Sequence, residues 1–307
     1  MAEDPLVPWL QQHLGLSLRR RSTVSGGCIH TAWRLECGDG TLLFAKGGEA
    51  SALPLLALEA DGLAALAQAA AGSGLTIPAV LALERIGDQA LLLLEWLDLA
   101  AGGTTADWWQ LGASLARLHR ASLERPCAPG DRLDGVYGWH RDNAIGRTPQ
   151  ANGWLGDWAE FVLQRRLEPQ LRMLQQKGTP LRRGEQLLER ARQLLAGHQP
   201  EPVLVHGDLW AGNASLTSAG GAVFDPAVYR GDREVDLAMA QLFGGFPPAF
   251  FSGYQQSWPL PADHGSRVSL YNLYHLLNHA NLFGGGYHAQ AQACADSLLS
   301  AGGLHGP

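Results

Sequence analysis

The stretch that decides the reading is His206-Gly207-Asp208-Leu209-Trp210-Ala211-Gly212-Asn213, HGDLWAGN. It follows the apolar run Val203 to Val205, which reads as a short buried strand delivering a loop. An Asp with an Asn five residues later on such a loop has the spacing of a kinase catalytic loop. Asp208 would orient or deprotonate an attacking hydroxyl, and Asn213 would offer its amide oxygen to Mg²⁺. In isolation the same residues also fit an Asx turn followed by a glycine-rich bend. The next segment outward favours the chemistry. Val223-Phe224 is a second apolar strand end, and it delivers Asp225 before Pro226. A lone Asp-Pro would end a strand in a turn. Beside Asp208 and Asn213, the same carboxylate can reach the same metal ions.

Upstream, Lys46 closes the apolar strand Thr41 to Lys46, TLLFAK. It is either a lysine snorkelling at a sheet edge or one that holds phosphate oxygens. Glu59 lies in the next helix and can pair with it. An exposed Lys–Glu pair contributes little stability; this one would point the ammonium at the α- and β-phosphates of ATP. Ser25-Gly26-Gly27-Cys28-Ile29 joins the first two strands. Gly26, Gly27 and Cys28 are candidates for a nucleotide loop, since glycines let backbone N–H groups approach phosphates. The segment is neither GxGxxG nor a Walker A loop, and a plain hairpin turn is the alternative. Glu95 and Leu97, in Leu94-Glu95-Trp96-Leu97, leave a strand where adenine would bond to backbone groups. Asp232 to Ala238 opens a helix. Its acidic start suits the helix dipole, and Asp236 is placed to brace the catalytic loop from below.

The wider pattern is α+β. Ser22 to Cys37 reads as two strands, followed by the Gly38-Asp39-Gly40 turn and the Lys46 strand. Pro54 to Ala71 has helical spacing, and Ala79 to Glu84 and Ala90 to Trp96 flank a Gly87-Asp88 hairpin turn. This makes about five strands with one helix inserted after the third. Beyond Asp98 the pattern is helical. Thr104 or Thr105 caps one helix, Trp154 to Lys177 breaks near Pro169, and Arg183 to Ala196, Arg233 to Phe243, Ser266 to Phe283 and Ala289 to Ser300 supply others. The expected division is a small antiparallel unit at 1–97 and a mainly helical one at 98–307, joined near Ala101 to Thr105.

The chain has 307 residues and a net charge of −6, and basic runs such as Arg19-Arg20-Arg21 and Arg182-Arg183 are too short to count as polybasic tracts, so nucleic acid is not an expected partner. Cys28, Cys37, Cys127 and Cys294 fit neither a zinc pattern nor a disulfide framework. The acidic N-terminus lacks an apolar signal core, and no long apolar stretch is free of charge and glycine. The expectation is a cytoplasmic protein with no membrane partner. Cys28, beside glycines and within reach of Lys46, is either a packing residue or a reactive thiol whose oxidation inhibits reversibly. The chain is accordingly expected to be a monomer or a redox-linked dimer.

Read together, HGDLWAGN (206–213), FDPAVYRGDREVDLAM (224–239) and LYNLYHLLNHANLFGGGY (270–287) resemble the fructosamine/ketosamine-3-kinase family. So do GGCIHTAWRL (26–35), EADGLAAL (59–66) and WHRDNAIGRTPQANGW (139–154). One departure is His30, where the family usually has Asn. The resemblance implies a bilobal protein-kinase-like fold: a small lobe of antiparallel sheet plus one helix, and a larger, mainly helical lobe. It implies ATP and Mg²⁺, and transfer of phosphate to the third hydroxyl of a ketoamine. The adduct would then come apart, which deglycates the amine. The substrates would be small ketoamines built on fructose, ribulose or erythrulose, or glycated protein lysines. By motif position it supports Lys46 for phosphate with Glu59 as partner, Asp208 as base, and Asn213 and Asp225 for metal. It points to Trp139, Asp142 and Asn143 as a substrate segment. Trp210 is either a flat ring for the sugar or a core anchor of the loop. The competing readings are a kinase of an amino alcohol or aminoglycoside, and a non-catalytic kinase-like module. The second conflicts with the joint presence of Lys46, Asp208, Asn213 and Asp225.

Overall fold

A computed structural model describes residues 4–24 and 30–300. Gly26, Gly27 and Cys28 lie outside the described residues. The chain opens with α1 (Leu6–Leu14), a helix that the strand-like reading of this region lacks. Next come β1 (Leu18–Val24), β2 (Thr31–Cys37), β3 (Leu42–Glu49), α2 (Leu53–Ala70), the two-residue β4 (Leu75–Thr76), β5 (Val80–Ile86) and β6 (Gln89–Glu95). Five of these strands form an antiparallel sheet in the order β1-β2-β3-β6-β5.

Strand β6 shows why both faces of this sheet are covered. Its run Ala90 to Leu94 is apolar at every position, although side chains alternate between faces. Ala90, Leu92 and Leu94 pack with Leu56 and Leu63 of α2. Leu91 and Leu93 pack on the other face with Leu6 and Leu10 of α1. Helix α2 is long and apolar enough to cross a membrane by composition alone. Here its Leu56, Leu63 and Leu66 are buried in the fold, and it carries Glu59 and Asp61. Lys46 is not at a strand end: β3 continues to Glu49, and Lys46 pairs with Ala32 on one side and Leu92 on the other. That central position excludes an edge lysine.

The helical part begins with α3 (Thr105–Ala121). Thr104 is its N-cap: Asp107 N donates to Thr104 Oγ1 at 3.3 Å, and Thr104 N donates back to Asp107 Oδ2 at 2.8 Å. The hairpin β7 (Asn143–Ile145) and β8 (Thr148–Gln150) precedes α4 (Trp158–Val162) and α5 (Glu168–Gln176). Between these helices the chain makes a π-helical turn at Leu163–Leu167, which is the break expected at Pro169. Then follow α6 (Gly184–Leu195), β9 (Val203–Val205), β10 (Ala214–Thr217), β11 (Gly220–Val223), β12 (Tyr229–Gly231), α7 (Glu234–Leu242), α8 (Pro248–Ser257), α9 (Val268–Phe283) and α10 (Gly286–Ser300). One large core unites these helices with β9 and β12. The two parts share more than a linker. β4 pairs in parallel with β11, Leu75 opposite Gly221, in a three-stranded sheet with β10.

Candidate active site

The loop after β9 is held by its backbone. Val203, Leu204 and Val205 are fully buried, and β9 pairs antiparallel with β12. At its end, His206 N donates to Asp236 Oδ2 at 2.7 Å and Gly207 N to Asp236 Oδ1 at 2.8 Å. Asp236 is 1% exposed. Burial alone would raise its pKa, but His119, His206 and the Gly207 amide outweigh that and hold it below the usual carboxylate range. Gly207 has φ +79°, and a Cβ there would lie 2.1 Å from the Ala227 carbonyl oxygen, so no other residue fits. His206 Nδ1 accepts from Asp208 N at 3.3 Å, so Nε2 carries the hydrogen and donates to Phe224 O at 3.0 Å. Burial lowers the pKa of His206, which favours this neutral ring. The imidazole thus ties the Asp208 loop to the strand that delivers Asp225.

The predicted chemical groups converge around this tie. Asn213 Nδ2 donates to Asp208 O at 2.9 Å, to Asp208 Oδ2 at 3.2 Å and to Asp225 O at 3.3 Å. Lys46 Nζ lies 2.7 Å from Glu59 Oε1 and 3.0 Å from Asp225 Oδ1. Asp225 has φ +59°, a left-handed conformation shared by one other described non-glycine residue, Arg183. Such strain persists only where the surroundings enforce it, often at functional sites. Burial works against the Lys46 ammonium, but Glu59 and Asp225 outweigh it and hold its pKa above the usual lysine value. Burial pushes Glu59 up to about 7, with Lys46 opposing and Asp225 adding. Asp208 is pushed up to about 8 by burial and then by the Asp225 charge, with Asn213 opposing. Two carboxylates, Glu59 and Asp225, therefore share one lysine, and Asn213 ties Asp208 to the same cluster, an arrangement that favours a further cation. The Asp225 carboxylate and the Asn213 amide oxygen are hard donors. A small set of this kind suits Mg²⁺, which keeps waters and phosphate oxygens as its other ligands.

The remaining predicted residues divide. Trp210 is 38% exposed, and its ring lies over Gly212 of the same loop, where a Cβ would come within 2.3 Å of it. Glu95 is exposed at the end of β6, and its Oε2 accepts from Ala79 N at 3.3 Å; Leu97 is half-buried just beyond. Asp142 is exposed, and its Oδ1 accepts from Asn152 N at 2.7 Å. Trp139 and Asn143 do not fit the substrate reading. The Trp139 ring is 1% exposed and its Nε1 donates to Asp61, so it offers no face to a sugar. The Asn143 amide is buried; it donates to Val228 O and accepts from Gln150 and Asn152. Sequence reading did not single out His275. It is buried in α9, its Nδ1 lies 3.9 Å from Asp208 Oδ1 without a hydrogen-bond partner among the described residues, and burial lowers its pKa to about 3, which keeps it neutral. The available signal was the polar set Asn272, His275 and His279, at helical spacing along one side of α9.

Comparison with known proteins agrees with this geometry. The fructosamine kinase family model matches residues 6–301. A probable ketoamine kinase of Synechocystis sp. is 41% identical over 92% of this chain and 91% of its own. A chloroplastic protein-ribulosamine 3-kinase of Oryza sativa subsp. japonica is 32% identical over 97% of this chain and 84% of its own. A crystal structure from Haemophilus somnus, named as a fructosamine-3-kinase, superposes with a TM-score of 0.83 at 26% identity, covering 98% of this chain and 97% of that one. The fold is that of the protein-kinase-like phosphotransferases. With the match running through both the sheet that carries Lys46 and the loop that carries Asp208, the chain belongs to the fructosamine kinase family.

Proposed function

We propose that this phosphotransferase moves the γ-phosphoryl group of ATP onto the 3-hydroxyl of a ketoamine. The observation that carries the reading is the single cluster formed by Asp208, Asn213, Asp225 and Lys46. Asp208 accepts the proton of the attacking hydroxyl. Lys46, held by Glu59, binds phosphate oxygens. Mg²⁺ bound by Asp225 and Asn213 would neutralise charge on the transferring phosphate. Trp210, exposed two residues beyond Asp208, provides a flat apolar surface for the sugar. A phosphate on C3 is a leaving group for the C1–C2 enaminol of the adduct. Its elimination followed by hydrolysis frees the amine, so phosphorylation leads to deglycation.

The names of the relatives support a ketoamine acceptor and include ribulosamine. The test is ATP consumption with the fructose, ribulose and erythrulose adducts of lysine, beside choline and an aminoglycoside, and with the phosphate located by NMR. Phosphate on the 3-hydroxyl and release of lysine are expected. Transfer only to choline or the aminoglycoside, or to another hydroxyl of the ketoamine, would overturn the reading.

A further inference from the structure

Helix α2 makes three different contacts within a single turn. Glu59 pairs with Lys46 of the sheet at 2.7 Å. Gly62 lies against the segment that follows Asp225: a Cβ there would be 3.0 Å from Pro226 Cγ and 3.5 Å from Val228 Cγ2. Asp61 faces a third partner. Its Oδ2 accepts from Trp139 Nε1 at 3.0 Å, and its Oδ1 lies 3.4 Å from His140 Nε2. Residues two apart on a helix point to different sides, so Glu59 and Asp61 hold α2 from different directions.

The Trp139 end is firmly set. Its ring is 1% exposed, and its backbone N donates to Asn152 O at 2.9 Å. Gly138 exchanges two backbone hydrogen bonds with Arg230, at 3.0 and 2.7 Å. Arg230 is itself fully buried in a two-bond pair with Asp131, at 2.6 and 2.7 Å. The carboxylate of Asp61 therefore fastens α2 to a rigid part of the helical lobe.

We propose that Asp61 is a positioning residue that acts through Trp139 to keep Glu59 seated on Lys46. The inference rests on the assignment of Lys46 and Glu59 to phosphate binding. It gives Trp139 a mechanical task in place of the substrate contact expected from sequence. It also makes the Lys46–Glu59 pair a permanent feature of the ligand-free enzyme.

The test is a double-mutant cycle read in steady-state kinetics, with Asp61→Ala, Asp61→Asn, Glu59→Gln and Glu59→Gln/Asp61→Ala. Asp61→Ala is expected to raise KM for ATP about tenfold and leave KM for the ketoamine within about twofold, while the double variant is no more than about twofold worse than Glu59→Gln alone. Asp61→Asn, which keeps an acceptor for Trp139 Nε1, recovers most of the loss. Trp139→Phe, which removes the donor at the cost of a small cavity, reproduces the Asp61→Ala pattern in KM and serves if that variant does not fold. Losses that multiply in the double variant would overturn the inference and leave the Lys46–Glu59 assignment intact. A silent Glu59→Gln would overturn both. A rise in KM for the ketoamine rather than for ATP in Trp139→Phe would return Trp139 to the substrate site and refute the positioning role.

Discussion

Asp236→Asn is the most informative single change in the catalytic loop's support. The native carboxylate accepts from His206 N at 2.7 Å and Gly207 N at 2.8 Å, and His119 Nε2 lies 3.2 Å away. An amide has one oxygen. It can accept from one of the two backbone donors, and its NH₂ group then confronts the other. Each bond to a charged acceptor is worth about 1.5–3 kcal/mol, and a buried donor left unpaired costs about 1–3 kcal/mol. A loss of about 3–5 kcal/mol follows, which for a protein of this size lowers Tm by roughly 10 °C. Asp236 has its pKa held below the usual carboxylate range in the fold. Its stabilisation is therefore fully present above the ordinary carboxylate pKa of about 4, and it is lost as pH falls through the lower folded value. The gap in Tm between wild type and variant should be constant from about pH 5 to 8 and should narrow only in acid. Thermal unfolding across that range is the assay, with kcat measured at neutral pH. Displacement of the loop should also reduce kcat at least tenfold, about the effect of a small misplacement of reacting groups. A gap below about 2 °C at neutral pH, or one that widens on acidification, would refute the reasoning.

Three further outcomes test the chemistry directly. Asp208→Asn should lower kcat by about 10²–10⁴ while ATP binding, followed by calorimetry, stays largely intact; turnover near wild type would remove Asp208 from the mechanism. Asp225→Ala should abolish Mg²⁺-dependent transfer, and activity that survives with its Mg²⁺ dependence unchanged would show that the metal is held elsewhere. Trp210→Ala should raise KM for the ketoamine more than for ATP and shift Tm by no more than about 2 °C, since its ring is 38% exposed; an equal rise for both substrates would count against a sugar platform.

The groups that were legible in the sequence are those whose position is set by their own strand, helix or short loop. Asp208, Asn213 and Asp225 follow short apolar strands at readable spacings, and Lys46 and Glu59 flank the turn between a strand and a helix. What was not legible depends on partners distant in the chain. Nothing about a tryptophan states which of its surfaces is covered. Trp139 is buried where Asp61, 78 residues earlier, meets its Nε1, whereas Trp210 is 38% exposed. His275 sits near Asp208 because α9 packs there, which periodicity does not reveal. Helix α1 escaped notice because Pro8 lies inside a short apolar segment; in the first turn of a helix, proline is tolerated. Its presence was nonetheless implied by the run Ala90 to Leu94. A strand without alternation requires cover on both faces, and α2 supplies only one.

The pairing of β4 with β11 bears on how the chain could be divided. A fragment ending after Trp96 would contain all five strands of the first sheet, yet it would also carry away Leu75 and Thr76. The complementary fragment would be left with β11 unpaired along that side, and an open strand edge recruits other chains. Separately produced halves are thus poor independent folding units. Mixed during refolding, they have a defined seam at which to rejoin, the parallel pairing of β4 with β11, whereas a cut before β4 would also open the longer pairing of β3 with β6.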